Sequence, residues 1–294
     1  SMNLFVSTTF LKDGTSLESA LELCKNNNIY NIELGSNHSF SKNYEEILKN
    51  FDFKYIMHNY FPIPKDSFVL NLASLDNEIF KRSIKHVKNA LDLCVKTNCK
   101  LYTVHPGFLT DPKGPNKTDG NYDFQWDDLK ASKINYEKGY DRMLKGLEVV
   151  VNYANKLNVK IAIETEGSVK KYNHLLMQKP EEFQKLFKFF DPSDLGINLN
   201  IGHLNLAKKL FKFQAQDFIS LIENYIVAME LSHNTGEEDD HLPLTKEGWY
   251  WNPILDKRFV NAYKILEFRN SKITEVIENI NLFKEKYNAI QIFK

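Results

Sequence analysis

Residues 159–167 read Val-Lys-Ile-Ala-Ile-Glu-Thr-Glu-Gly. A short apolar, β-favouring run closes on a carboxylate, Glu164, and is then broken by Gly167. The form recurs along the chain, in β-rich runs at 3–8 (NLFVST), 29–34 (IYNIEL), 54–58 (KYIMH), 100–105 (KLYTVH), 194–199 (DLGINL), 225–231 (YIVAMEL) and 262–267 (AYKILE). Near-continuous apolar strands of this kind suit a parallel sheet covered on both faces. Between them lie stretches of helical period. Over 77–97, Ile84, Val87, Leu91 and Cys94 share one face, and over 271–286 Ile273, Val276, Ile277 and Ile280 form a stripe with Lys272, Glu275 and Glu278 outside it. Pro180 and Ser271 mark helix starts.

Eight strands, each followed by a helix or a long loop, predict a single (β/α)8 barrel spanning 1–294. A doubly wound open sheet uses the same alternation. No Gly-x-Gly-x-x-Gly or Walker-type loop supports it, and no repeat of 20–50 residues suggests a solenoid.

The 294 residues carry 38 Lys plus Arg against 38 Asp plus Glu, with 43% hydrophobic and 26% charged residues. This is globular composition with room for a large core. The even balance argues against a protein whose main affinity is for phosphate backbones, without excluding a local basic groove. Cys24, Cys94 and Cys99 are too few and wrongly spaced for a disulfide framework or a thiolate zinc site, so buried thiols in a reducing compartment are expected. No apolar run approaches the ~20 residues of a membrane span, and the opening residues lack the form of a signal peptide. The expected location is cytoplasmic.

Two connections are long: Pro106 to about Asn135, and Ser232 to about Val260. They hold all three tryptophans, Trp126, Trp249 and Trp251, with Tyr122, Phe124 and Tyr250. Such rings either give a long loop its own small core or wall a sugar-like substrate; on the second reading Trp126, Trp249, Trp251 and Tyr60 bind substrate.

A barrel builds its site at the C-terminal ends of its strands. There the sequence places His58, His105 (Val104-His105-Pro106-Gly107), Glu164, Asn200 and His203 (Asn200-Ile201-Gly202-His203), His233, Asp239 and His241, and Glu267. Clustered carboxylates repel each other and call for a counter-charge, and imidazole with carboxylate suits Zn, Mn, Fe or Co. His38, His86 and His174 read as ordinary core or surface histidines.

In this order and spacing the motifs resemble the xylose isomerase-like barrel superfamily, over about residues 3–286. That superfamily includes sugar isomerases and epimerases and the DNA-repair enzyme endonuclease IV. The resemblance implies one divalent metal on Glu164, Asn200, His233 and Glu267 in the epimerase manner. In the endonuclease manner it implies three zinc ions shared among His58, His105, Glu164, Asn200, His203, His233, Asp239, His241 and Glu267. The family carries Asp where this chain has Asn200, which ligates without charge; Asn198 replaces it if the register slips by two.

The first expectation is a sugar or sugar-phosphate isomerase or epimerase with one to three Zn, Mn or Co ions. In it Glu164 and Glu267 move the proton, His203 contacts substrate or a second metal, and Lys170 and Lys171 meet a phosphate. The alternatives are an abasic-site phosphodiesterase with three zinc ions, supported by the full histidine set and Asn71-Leu72-Ala73-Ser74, and a barrel that binds carbohydrate or metal without chemistry. A small carbohydrate is the expected partner, with nucleic acid less favoured, no membrane, and a homo-oligomer compatible with exposed aromatic loops.

Overall fold

Alternate side chains of a strand point to opposite faces, so in a closed barrel every second residue faces the axis. The computed structural model describes residues 3–112, 133–169 and 175–292. Its strands are β1 (Leu4–Ser7), β2 (Asn31–Leu34), β3 (Lys54–His58), β4 (Leu101–Val104), β5 (Lys160–Glu164), β6 (Gly196–Asn200), β7 (Ile226–Leu231) and β8 (Tyr263–Leu266). They pair in chain order, all parallel, and β1 meets β8 with Val6 opposite Leu266 to close the barrel. Each lies within two residues of the run read from the sequence.

The described helices are α1 (Leu17–Asn26), α2 (Tyr44–Lys49), α3 (Asn77–Lys96), α4 (Lys133–Leu157), α5 (Pro180–Leu186), α6 (Ile201–Phe211), α7 (Ala215–Ile222), α8 (Trp251–Ile254) and α9 (Ile273–Ile292). Their starts have local causes. Asp76 accepts from the N–H groups of Glu78 and Ile79 to cap α3. Glu182 accepts from those of Met177 and Gln178 beside Pro180. Glu275 accepts from Lys272 N–H, so α9 opens two residues after Ser271. Among the described residues no helix is long and apolar enough to cross a membrane. The three cysteines are buried free thiols.

The strand faces sort into two apolar clusters. Val6, Ile32, Met57, Tyr102, Ile161, Ile163, Leu199 and Leu231 face outward, into the large cluster shared with the helices. Phe5, Ile56, Leu101, Ala162, Ala228 and Ile265 form a separate cluster inside the barrel. Two residues further along the same faces come Ser7, His58, Thr103, Glu164, Glu230 and Glu267, all buried. The barrel interior thus has an apolar floor and, toward the C-terminal strand ends, a polar layer above it.

The connection after β7 carries its own packing. The Trp251 indole N–H donates to the Thr245 carbonyl at 2.8 Å, and its ring meets Phe283 of α9 at 6.2 Å. Asn279 of α9 brackets Leu244, donating to its carbonyl and accepting from its N–H at 3.0 and 2.9 Å. Trp126, Tyr122, Phe124, Lys170, Lys171 and His174 lie outside the described residues.

His38 and His86 are core residues. His38 sits between Thr8 Oγ1 at 2.8 Å and the Thr15 carbonyl at 3.0 Å, and the His86 ring lies 5.3 Å from that of Tyr60. Burial pushes each pKa down to about 4. Both stay neutral in the folded chain while the unfolded chain takes up protons below about pH 6.5. Stability is therefore lost as pH falls from about 6.5 toward 4 and the loss levels off below that. Urea titrations at pH 7 and 5 are expected to show His86→Phe losing about 2 kcal/mol less than the wild type over that interval. Gly167 marks a close approach: a Cβ there would sit 2.1 Å from the His203 carbonyl oxygen. That atom is backbone and cannot swing away, so Gly167→Ala is expected to cost roughly 2 kcal/mol or more, read as a fall in the thermal unfolding midpoint.

Candidate metal centre

The polar layer is held by hydrogen bonds that aim each ring. His58 at the end of β3 has Nδ1 2.6 Å from Thr103 Oγ1 on β4 and Nε2 3.7 Å from Glu164 Oε1. His203 in the first turn of α6 donates from Nδ1 to the Thr165 carbonyl at 2.7 Å. A carbonyl only accepts, so the proton is on Nδ1 and Nε2 faces the site. Asn200 caps α6: its side-chain oxygen accepts from His203 N–H at 2.9 Å, and its own N–H donates to Thr165 Oγ1 at 3.0 Å. The turn Asn200–His203 thus fixes where that imidazole stands. Gly167 permits the β5 end to pass against it.

Four groups of His, Asp and Glu side chains each bring their ligand atoms within 4.8 Å of one another: His58–His105–Glu164, His203–Asp239–His241, Glu164–Glu230–Glu267 and Glu33–His58–Glu230. The second has a telling arrangement. Nε2 of His203 and Nε2 of His241 both lie 3.1 Å from one oxygen, Asp239 Oδ2. With His203 protonated at Nδ1, its Nε2 and the carboxylate are both electron-pair donors. A proton or a cation must stand between them.

Electrostatics say the same of the whole centre. Burial opposes charge on His203, but Asp239, Glu166 and Glu164 outweigh it and hold its pKa well above the ordinary value. Burial opposes charge on the half-buried His105 too, but Glu166 and Glu164 outweigh it and raise the value to about 9, and His105 Nδ1 is hydrogen-bonded to Glu166. Burial lifts Glu164 to about 7 and Glu33 to about 8, while burial and the neighbouring Glu33 and Glu267 lift Glu230 well above the carboxylate range. Burial opposes charge on the half-buried Asp239 as well, yet His203 and His241 hold it well below that range. His241 Nδ1 lies 3.0 Å from Glu267 Oε1, an ion-pair distance without hydrogen-bond alignment.

These residues fit divalent cations. Glu164 Oε1, Glu230 Oε2, Asp239 Oδ1 and both oxygens of Glu33 are buried without a hydrogen-bond partner. Each such lone pair costs roughly 1–3 kcal/mol when left unsatisfied. Their concentration in one layer, among imidazoles turned the same way, is the donor set a cation satisfies.

Of the nine ligand candidates, the structure brings His58, His105, Glu164, His203, Asp239, His241 and Glu267 into these groups. Asn200 stands at the same layer, its amide nitrogen buried and unpaired. Asn198 donates to Glu230 Oε1 at 3.0 Å. His233 stands apart: its Nδ1 is 3.0 Å from the Tyr250 hydroxyl and its backbone pairs with Leu242. The inward position near the end of β7 belongs to Glu230. Glu230, Glu33 and Glu166 were missed from the sequence. Period two from Ala228 or from Glu164 was the available signal.

The substrate-binding candidates are placed as follows. Trp251 is 7% exposed and packs within its loop. Trp249 is half-buried beneath the Lys208 ammonium, 3.7 Å from the ring centre. The Tyr60 hydroxyl accepts from Phe68 N–H at 2.6 Å, next to His86. Trp251 and Tyr60 thus serve local packing.

Known proteins resemble this chain in sequence or in fold. The uncharacterized protein MJ1614 of Methanocaldococcus jannaschii is 28% identical over 291 residues, covering 97% of this chain and 99% of its own. Probable endonuclease 4 of Sulfurihydrogenibium sp. (strain YO3AOP1) is 27% identical over 139 residues, 47% of this chain and 40% of its own. A solved D-tagatose 3-epimerase-like protein superposes with a TM-score of 0.73 over 98% of both chains at 18% identity, a likeness of fold. The family model described as xylose isomerase-like TIM barrel matches residues 19–286. With the closed barrel and the acidic, histidine-rich layer at its strand ends, this match shows that the chain belongs to the xylose isomerase-like TIM barrel family.

Proposed function

We propose that this chain is a divalent-cation-dependent hydrolase of phosphodiesters, in the manner of the endonuclease 4 relative. One observation carries the reading. Three donor groups, His58–His105–Glu164, Glu164–Glu230–Glu267 and His203–Asp239–His241, lie in one layer, and Glu164 belongs to two of them. Several cation positions joined by a shared carboxylate are the arrangement of phosphatases and nucleases, where attacking and leaving oxygens are clamped together. A one-cation isomerase has no use for the separate His203–Asp239–His241 group.

The residues above would hold the cations, which supply Lewis acidity and charge neutralisation at a phosphoryl oxygen. The chain's own part is orientation and the exclusion of water. Thr103, Thr165 and Glu166 hold the rings of His58, His203 and His105 in place before substrate arrives. The apolar floor of Phe5, Ile56, Leu101, Ala162, Ala228 and Ile265 closes the site from below against water. His203 and His241 hold the Asp239 carboxyl well below the usual carboxylate range, so it stays charged and fixes both rings at the layer.

A second reading, a sugar isomerase or epimerase, is favoured by the paired carboxylates Glu164 and Glu267 and by the 38-to-38 charge balance, which offers a long duplex no surplus of positive charge. Elemental analysis and two assays separate them. The wild type is expected to hold about three divalent cations per chain and to hydrolyse bis(p-nitrophenyl) phosphate or nick abasic DNA. Glu164→Gln, which strips two donor groups at once, is expected to keep about one cation and to lose activity by roughly 100-fold or more. One cation per chain, with interconversion of ketohexose epimers and no phosphodiester cleavage, decides for the second reading.

A further inference from the structure

The three donor groups are not chemically alike. His58–His105–Glu164 and His203–Asp239–His241 each present two imidazoles and one carboxylate, whereas Glu164–Glu230–Glu267 presents three carboxylates and no imidazole. The difference is made on strand 7. The histidine near its end, His233, is turned to the Tyr250 hydroxyl, and the inward-facing residue is Glu230. Behind Glu230 stands Glu33 of β2, fully buried, with neither carboxylate oxygen in an aligned hydrogen bond. Glu33, His58 and Glu230 also bring their ligand atoms within 4.8 Å of one another. Four buried carboxylates, Glu33, Glu164, Glu230 and Glu267, therefore gather around one position, with the His58 and His241 rings at its edge. Carboxylate oxygen favours hard cations such as Mg and Mn, and imidazole nitrogen favours Zn.

We infer that the centre is split by metal chemistry: Glu230, with Glu33 behind it, makes the Glu164–Glu230–Glu267 position one for a hard divalent cation, while the two imidazole-rich positions take zinc. The inference rests on the cation-binding reading of the site and not on which reaction the site performs. It also gives Glu33, which no sequence motif singled out, a task. Its two buried oxygens, without hydrogen-bond partners, deepen the all-oxygen side once the carboxyl gives up its proton as a cation binds.

The full-length chain is stripped of metal, given two equivalents of Zn2+ and then Mn2+, desalted, and read by elemental analysis and by the Mn2+ electron paramagnetic resonance signal. Zinc is held to two equivalents because it outcompetes manganese at most donor sets. The wild type is expected to retain about one Mn2+ beside about two Zn2+. Glu230→His is expected to bind a third Zn2+ and to cut retained Mn2+ by roughly tenfold or more. His233→Ala is expected to change neither count. Absence of Mn2+ from the wild type carrying two Zn2+ overturns the inference, as does loss of Mn2+ from His233→Ala with retention in Glu230→His. Glu33→Gln, milder for folding, is expected to weaken Mn2+ binding roughly tenfold at an unchanged zinc count; unchanged Mn2+ affinity removes Glu33 from the position. If both metals load as stated and no phosphodiester is cleaved, the split centre stands and the hydrolase reading falls.

Discussion

A barrel closed on itself leaves alternate side chains nowhere to go but inward, and the rest of this molecule follows from what those positions hold. At the first inward level the chain puts Phe5, Ile56, Leu101, Ala162, Ala228 and Ile265, which fill the axis and seal it. Two residues on, the same strands present Ser7, His58, Thr103, Glu164, Glu230 and Glu267. The spacing of a strand thus stacks a polar layer directly on an apolar one. Carboxylates in that layer have little water to solvate them and no room to move apart. Burying such charges is costly unless they meet an opposite charge.

That constraint accounts for the details around them. The Thr103 hydroxyl, the Thr165 carbonyl and the Asn200 cap hold His58 and His203 so that their free ring nitrogens enter the layer. Glu166 does the same for His105. Where no cation is bound, the charges balance by moving protons: Glu164, Glu33 and Glu230 toward neutrality, His105 and His203 toward the imidazolium form. The layer is a shared proton network that exchanges protons for cations, because ligation needs the deprotonated donors. The 38-to-38 balance of the whole chain conceals this local excess of buried carboxylate.

The strands were legible because a strand buried on both sides must be apolar along its length, and such runs stand out between amphipathic helices. Glu164, Glu267, His58, His105 and His203 were legible because each ends or closely follows an apolar run for which packing offers no reason to place a charge, and Asp239 and His241 because they lie together in the polar connection that follows such a run. Glu33 and Glu230 were not. Each sits one residue before the end of its strand, followed by Leu34 or Leu231, and reads as an interruption in an apolar run. Only the strand register, with Glu230 opposite both Asn200 and Ile265, shows that it faces inward. His233 is expected as a ligand from its place just after β7 and from the family resemblance, whereas its Nδ1 lies 3.0 Å from the hydroxyl of Tyr250, 17 residues on. Trp251 and Tyr60 show the same limit. Composition announces an aromatic ring but not its direction, which Phe283 and the Phe68 backbone decide.

A layer built this way ties stability to function. Unpaired oxygens on Glu33, Glu164, Glu230 and Asp239 are carried by the fold at a cost, and the surrounding barrel must be stable enough to tolerate it. The apolar floor and the helix-facing cluster supply that surplus. Since cations meet those oxygens only when the strands hold them together, whatever free energy they release on binding is also free energy of folding. The same unsatisfied atoms that make the empty centre costly are therefore what makes it selective. A cation that replaces the missing partners gains the full penalty they carried, and one of the wrong hardness recovers only part of it.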